Sequence, residues 1–159
     1  MTYENIIREL EATRPPAWDL LGLTQLTHDP ELDRVVMEWK AEERHCHSVE
    51  GHPMGGIVQG GIVTGWLDAA MACACLLRGG PAVKVASLEI KVTFLLPAHP
   101  GLYHSYGSVV RQGRSISFME AELRDKHDHL IARASSTAAV RPPKAVHHAS
   151  APPPAGKTV

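Results

Sequence analysis

Gly56-Ile57-Val58-Gln59-Gly60-Gly61-Ile62-Val63-Thr64-Gly65-Trp66-Leu67-Asp68-Ala69-Ala70 decides how the rest of this chain is read. It opens the one long helical candidate, Gln59 to Arg78, about 30 Å long if fully helical. Ile62, Val63, Trp66, Leu67, Met71, Cys73, Ala74, Leu76 and Leu77 cover its circumference, so the pattern predicts a helix buried on all sides. Gly79-Gly80-Pro81 ends it. Between Glu50 and Arg78 the single formal charge is Asp68. A carboxylate inside a buried helix is costly unless it is paired, neutral or open to a cavity. It either serves chemistry, caps a neighbouring backbone group, or marks an exposed stripe.

Gly60 and Gly61 begin the same helix. They leave backbone N–H groups uncovered at its positive end, where a polarised carbonyl or oxyanion could be held. Gly60 and Asp68 are separated by about 12 Å along one helix, too far to act on one carbonyl. Two antiparallel copies of the helix would bring them together. The spacing therefore predicts a homodimer with two shared sites, Gly60 from one chain and Asp68 from the other.

Outward from the helix, the pattern changes to a period of two. Arg34–Ala41 alternates ahead of it, and four strand-like runs follow: Lys84–Leu96, Tyr103–Gln112, Ser115–Arg124 and Leu130–Val140. In the first of these four, Leu88, Ile90, Val92, Phe94 and Leu96 form one face and Ser87, Glu89, Lys91 and Thr93 the other. An antiparallel sheet wrapped around one long central hydrophobic helix accommodates all of these, an α+β fold. Residues 1–30 read as a packing segment: a short helix with Thr2 as cap, ended at Arg14-Pro15-Pro16, then an apolar lip from Trp18 to Leu23 in turn-rich chain. Residues 31–140 form the domain, and 141–159, rich in proline, are expected to be a disordered tail.

The chain has 159 residues, 16 Lys plus Arg against 17 Asp plus Glu, and a net charge of −1. That balance offers no electrostatic footprint for nucleic acid or an anionic membrane. Asp68 and the glycines speak against a membrane span over Gly60–Leu77. Cys46, Cys73 and Cys75 form no disulfide framework, and Met1–Leu10 is no secretory signal. A cytoplasmic protein is expected. His45-Cys46-His47 with His52 offers metal-ligand residue types but no second ligand pair, so no metal and no cofactor are expected. Cys73 and Cys75 read as packing residues, and no Gly-x-Ser-x-Gly elbow or phosphate-binding glycine loop occurs.

The stretch Gly56–Ala70 resembles the motif of the hotdog-fold acyl-CoA thioesterases of the PaaI type, in which a Gly-Gly pair opens the central helix and an acidic residue follows on it. The likeness continues through Val92–Ala98, Val110–Ser115 and Leu130–Thr137, and covers about residues 17 to 140. It implies hydrolysis of an acyl-CoA at the interface of a homodimer, itself assembled into a tetramer. Asp68 would be general base or nucleophile, and the Gly60 N–H would polarise the carbonyl, with Gly61 beside it. Gln59 stands where many relatives have His, and Ser87 aligns with a polar residue that positions water in some. His52 stands near the place of a loop Asn in relatives. Arg111 and Arg114 lie on the turn from which relatives reach the nucleotide end of CoA. Two other functions share these features: a hotdog dehydratase or hydratase, and a noncatalytic acyl-CoA-binding module.

Overall fold

Gly and Pro punctuation, caps and alternation resolve into eight strands and three helices in the computed structural model, which describes residues 2–80 and 82–141. The chain runs through α1 (Tyr3–Ala12), α2 (Pro16–Leu20), β1 (Leu23–Asp29) and β2 (Arg34–Ala41). A 3-10 turn at Glu43–His45 leads to the short strands β3 (Cys46–His47) and β4 (Ile57–Val58). Then come α3 (Gly60–Gly79), β5 (Lys84–Phe94), β6 (Gly101–Gln112), β7 (Ile116–Asp125) and β8 (Leu130–Arg141). Six strands form one sheet in the order β1-β2-β6-β7-β8-β5, every pair antiparallel. β3 and β4 pair separately. The expected tail from 142 onward lies outside the described residues.

The sheet curls around α3 as expected. Trp39, Trp66, Met37, Leu67, Met71, Met119 and Leu123 are its fully buried centre. Trp66 stacks between Trp39 and Tyr103, at centroid distances of 6.0 and 5.6 Å. Both buried indoles find acceptors, Trp39 Nε1 on Ser105 Oγ and Trp66 Nε1 on the Leu21 carbonyl, each at 2.8 Å. α3 is long and apolar enough to cross a membrane by length and composition, yet here it is the core element on which the sheet closes. α1 is capped as read, with Thr2 Oγ1 accepting from Asn5 N.

Three features depart from the sequence reading. The turn-rich stretch before Pro30 contains β1, whose core residues Leu23 and Leu26 are three apart because a bulge lies between Leu23 and Gln25. That bulge erases the period of two. A second bulge, between Ser87 and Glu89 in β5, reverses the expected faces at and ahead of it while those beyond it are as expected. Leu88 is 62% exposed, whereas Val85 lies on the core side before the bulge and Ile90 and Val92 after it. Finally, α3 is not buried all round. Gly61 is exposed, and Gly65, Asp68, Ala72 and Leu76 are half-buried, a stripe at helical spacing that a single sheet leaves partly open.

Candidate active site

The N-terminus of α3 is built by Gln59. Its backbone is extended (φ −64°, ψ 135°) and its side-chain Oε1 accepts from the N–H groups of Gly61 and Ile62. Its own N–H donates to the His45 carbonyl at 2.9 Å. Both lone pairs of the amide oxygen are therefore committed to the helix, and only Nε2 stays available as a donor. A Cβ on Gly61 would lie 2.7 Å from that oxygen, so the cap and the second glycine belong together. Among the described residues the Gly60 N–H meets no acceptor. It points from the positive end of a 20-residue helix.

Asp68 lies half-buried on the open stripe two turns further on. Ser87 Oγ donates to its Oδ1 at 2.6 Å. The β5 bulge makes this contact possible, because it lets Ser87 face α3 while Ile90 and Val92 still pack inward. The hydroxyl is thus bonded to a carboxylate and not to nearby backbone.

An apolar groove of about 340 Å³ adjoins Gly60, walled by Ile57, Val63, Phe94, Leu96, Ile131 and their neighbours, with His47 at its edge. Phe94 stands over the helix start, its ring 3.3 Å from where a Gly60 Cβ would be. The Trp18–Leu23 lip does not reach this groove. Leu21 instead packs on Gly65, at 3.1 Å from the place of its Cβ.

Of the other expected site residues, His52 lies apart. Its Nδ1 accepts from Met54 N at 3.1 Å and its ring leans on His99, at 5.2 Å between centroids. His99 Nδ1 in turn holds the Gly56 carbonyl at 2.7 Å, which anchors the loop entering α3. Arg111 and Arg114 are exposed on the β6–β7 hairpin. That hairpin adjoins the far end of α3, where the place of a Gly79 Cβ lies 3.2 Å from Gln112 Nε2. The structure thus brings Gln59, Gly60 and Gly61 together, and Asp68 with Ser87, but keeps the two groups apart in one chain. The Phe94–Ala98 wall and the place of His47 in the same groove as Gly60 were missed from sequence. The apolar run Phe94-Leu95-Leu96-Pro97 past a strand end was a signal for the wall, whereas a two-residue strand such as β3 carries none.

The cysteines and the histidine cluster stay outside this chemistry. Burial pushes the Cys73 thiol up to about 12 and raises that of Cys75, so neither is a thiolate nucleophile near neutral pH. His45 is buried with both ring nitrogens engaged: Nδ1 accepts from Glu42 N at 2.9 Å, and Nε2 meets the Leu20 carbonyl at 2.8 Å. Among the described residues no group of three or more His, Cys, Asp or Glu is placed to hold a metal.

The family profile described as thioesterase superfamily matches residues 55–132, the span from the loop before α3 to the start of β8. Over those residues the chain is similar to the thioesterase superfamily. A protein named as an esterase in Saccharolobus solfataricus is 31% identical over 80 residues, 50% of this chain. The match covers 56% of that relative, so this chain spans about half the length of the curated protein it resembles. A phenylacetic acid degradation-related protein from Ralstonia eutropha JMP134 superposes with a TM-score of 0.71 at 26% identity, covering 84% of this chain and 98% of that one. A thioesterase from Haemophilus influenzae superposes with a TM-score of 0.74 at 20% identity, covering 93% and 96%. The hotdog fold expected from the sequence is the fold observed.

Proposed function

We propose that the chain hydrolyses an acyl-CoA to free CoA and a carboxylate, at a site shared by two antiparallel copies of α3. The observation that carries this is the Ser87-bonded carboxylate of Asp68 on the open stripe of α3, with an N–H donor at Gly60 that lies about 12 Å away on the same helix. Each site takes Asp68 from one chain and Gly60 of the partner subunit. Small residues at Gly61 and Ala72 on that stripe support close approach of two helices. The dimers assemble further into a tetramer.

Ser87 occupies Oδ1, which leaves Oδ2 to act. It either takes a proton from water as the water oxygen bonds to the carbonyl carbon, or attacks that carbon itself. The carbonyl π electrons move onto oxygen, where the Gly60 N–H holds them, an interaction worth about 3 kcal/mol of barrier. Collapse breaks the C–S bond and the thiolate leaves, taking up a proton; after direct attack the product is an anhydride of Asp68, which water then cleaves to release the carboxylate and restore Asp68. The apolar groove receives the acyl group. Arg111 and Arg114 of the chain that supplies Asp68 are on the hairpin that adjoins Gly79, which lies about 16 Å past Asp68 along the helix, and there they would meet the nucleotide phosphates of CoA. Three free thiols suit a reducing compartment, the cytoplasm.

The test is thiol release from a panel of acyl-CoAs by wild type and Asp68→Asn. Turnover by wild type and a loss of at least about 1,000-fold in the variant are expected. No turnover on any member, or undiminished turnover in the variant, overturns the mechanism. Heterodimers of Asp68→Asn with Gly60→Pro, which lacks the N–H, should regain about half the sites. Single turnover in 18O water separates the two roles of Asp68, because label enters its carboxylate only after direct attack.

A further inference from the structure

The N-terminus of α3 presents a single backbone donor to the groove. The Gly61 and Ile62 N–H groups are both taken by Gln59 Oε1, and only the Gly60 N–H stays open among the described residues. Sites that hold an oxyanion usually converge more than one donor on it. Of the described residues lining the groove, His47 alone has a polar side chain.

His47 is exposed and borders the groove. His47 is directly opposite Ile57 in the β3–β4 pair, so their side chains share a face, and both line the groove. His47 Nδ1 lies 2.9 Å from Ser48 Oγ. Ser48 holds a φ of 54°, a conformation few non-glycine residues adopt, and this turn sets its hydroxyl beside the ring. That contact accommodates the tautomer in which the hydroxyl donates to Nδ1 and the ring proton sits on Nε2.

We propose that His47 Nε2–H is a second donor to the thioester carbonyl oxygen, acting with the Gly60 N–H of the same chain. This rests on the hydrolase function given above. The proton stays on His47 throughout. As the nucleophile adds to carbon, the π pair moves to oxygen and both donors hold it; when the pair returns, the C–S bond breaks and the thiolate departs with the electrons.

The experiment compares kcat and KM for thiol release by wild type, His47→Ala and His47→Gln, with melting temperatures alongside. His47→Ala should lower kcat by about 100-fold and leave KM within about threefold, because the donor acts mainly in the transition state. His47→Gln keeps an N–H donor and should recover about tenfold of that loss. A kcat within about twofold of wild type in His47→Ala overturns the role, as does an equal loss in both variants with a matching fall in melting temperature. An independent check uses wild type alone: a ketone analogue of an acyl-CoA, with CH2 in place of sulfur, should shift the 15N resonance of His47 Nε2, and no shift overturns the assignment. If wild type releases no thiol, the hydrolase reading fails and the role with it. If Asp68→Asn is inactive while His47→Ala is fully active, only His47 is reassigned.

Discussion

Asp68 and Ser87 are the pair on which the proposed site depends, and they differ in how visible they are from sequence. Asp68 stands out because every neighbour from Glu50 to Arg78 is uncharged, and an isolated charge in a core helix demands an explanation. Ser87 is one hydroxyl in an alternating strand, on the face that the period of two assigns to solvent. Its bond to Asp68 exists because of a bulge. Replacing Ser87 by Ala should lower kcat/KM by about tenfold, the scale of losing one hydrogen bond to a charged group. The melting temperature should scarcely move, since Ser87 is exposed in the single chain. An unchanged kcat/KM measured by thiol release would separate Ser87 from the chemistry. Gln59, which stands where many relatives have His, gives its oxygen to the helix, because a capping acceptor is needed wherever the first turn has no other. His52, chosen for its place in the loop, faces His99 instead.

At the scale of elements, α3 and the long strands were legible because their hydrophobic periods are strong and their ends carry glycine or proline. β1 was not, since its bulge leaves Leu23 and Leu26 out of phase for a strand. Nor was the tightest contact in the fold, where β6 passes so close to α3 that a Cβ on Gly107 would overlap the Ala70 carbonyl group and the Met71 nitrogen. These are backbone atoms and cannot rotate aside. Gly107→Ala should therefore destabilise the fold by about 3 kcal/mol, through helix displacement or local unfolding of β6. Urea unfolding of the variant checks this, and a midpoint equal to wild type would mean that the sheet can move off the helix at no cost. Nothing in the sequence around Tyr106-Gly107-Ser108 marks this glycine, because the crowding comes from a helix more than 30 residues earlier.

For the whole molecule, burial of thiol and phenol groups makes stability depend on alkaline pH. The Cys73 thiol is held from an ordinary value of 9.0 up to about 12 by burial, and Tyr103, buried among apolar neighbours, is raised in the same direction. The folded state keeps these protons where the unfolded chain has released them. Their contribution is therefore complete below pH 9 and declines as pH rises toward about 12. The urea midpoint should fall from pH 9 upward, and Cys73→Ala, although less stable near neutral pH, should lose less over that range. A parallel decline in both proteins would show that Cys73 does not titrate with unfolding.

An α+β hotdog fold around a single apolar helix was legible in the sequence alone, as were Gly60 and Asp68, the two positions proposed to carry the chemistry. They were legible because hydrophobic period, end signals and an isolated charge are local properties of the chain. Tertiary structure alone decided which hydroxyl meets the carboxylate, which N–H stays open beside Gln59, and which walls form the groove next to it. Those depend on bulges, on side-chain capping and on segments distant in sequence packing together, and a bulge of one residue reverses every face beyond it.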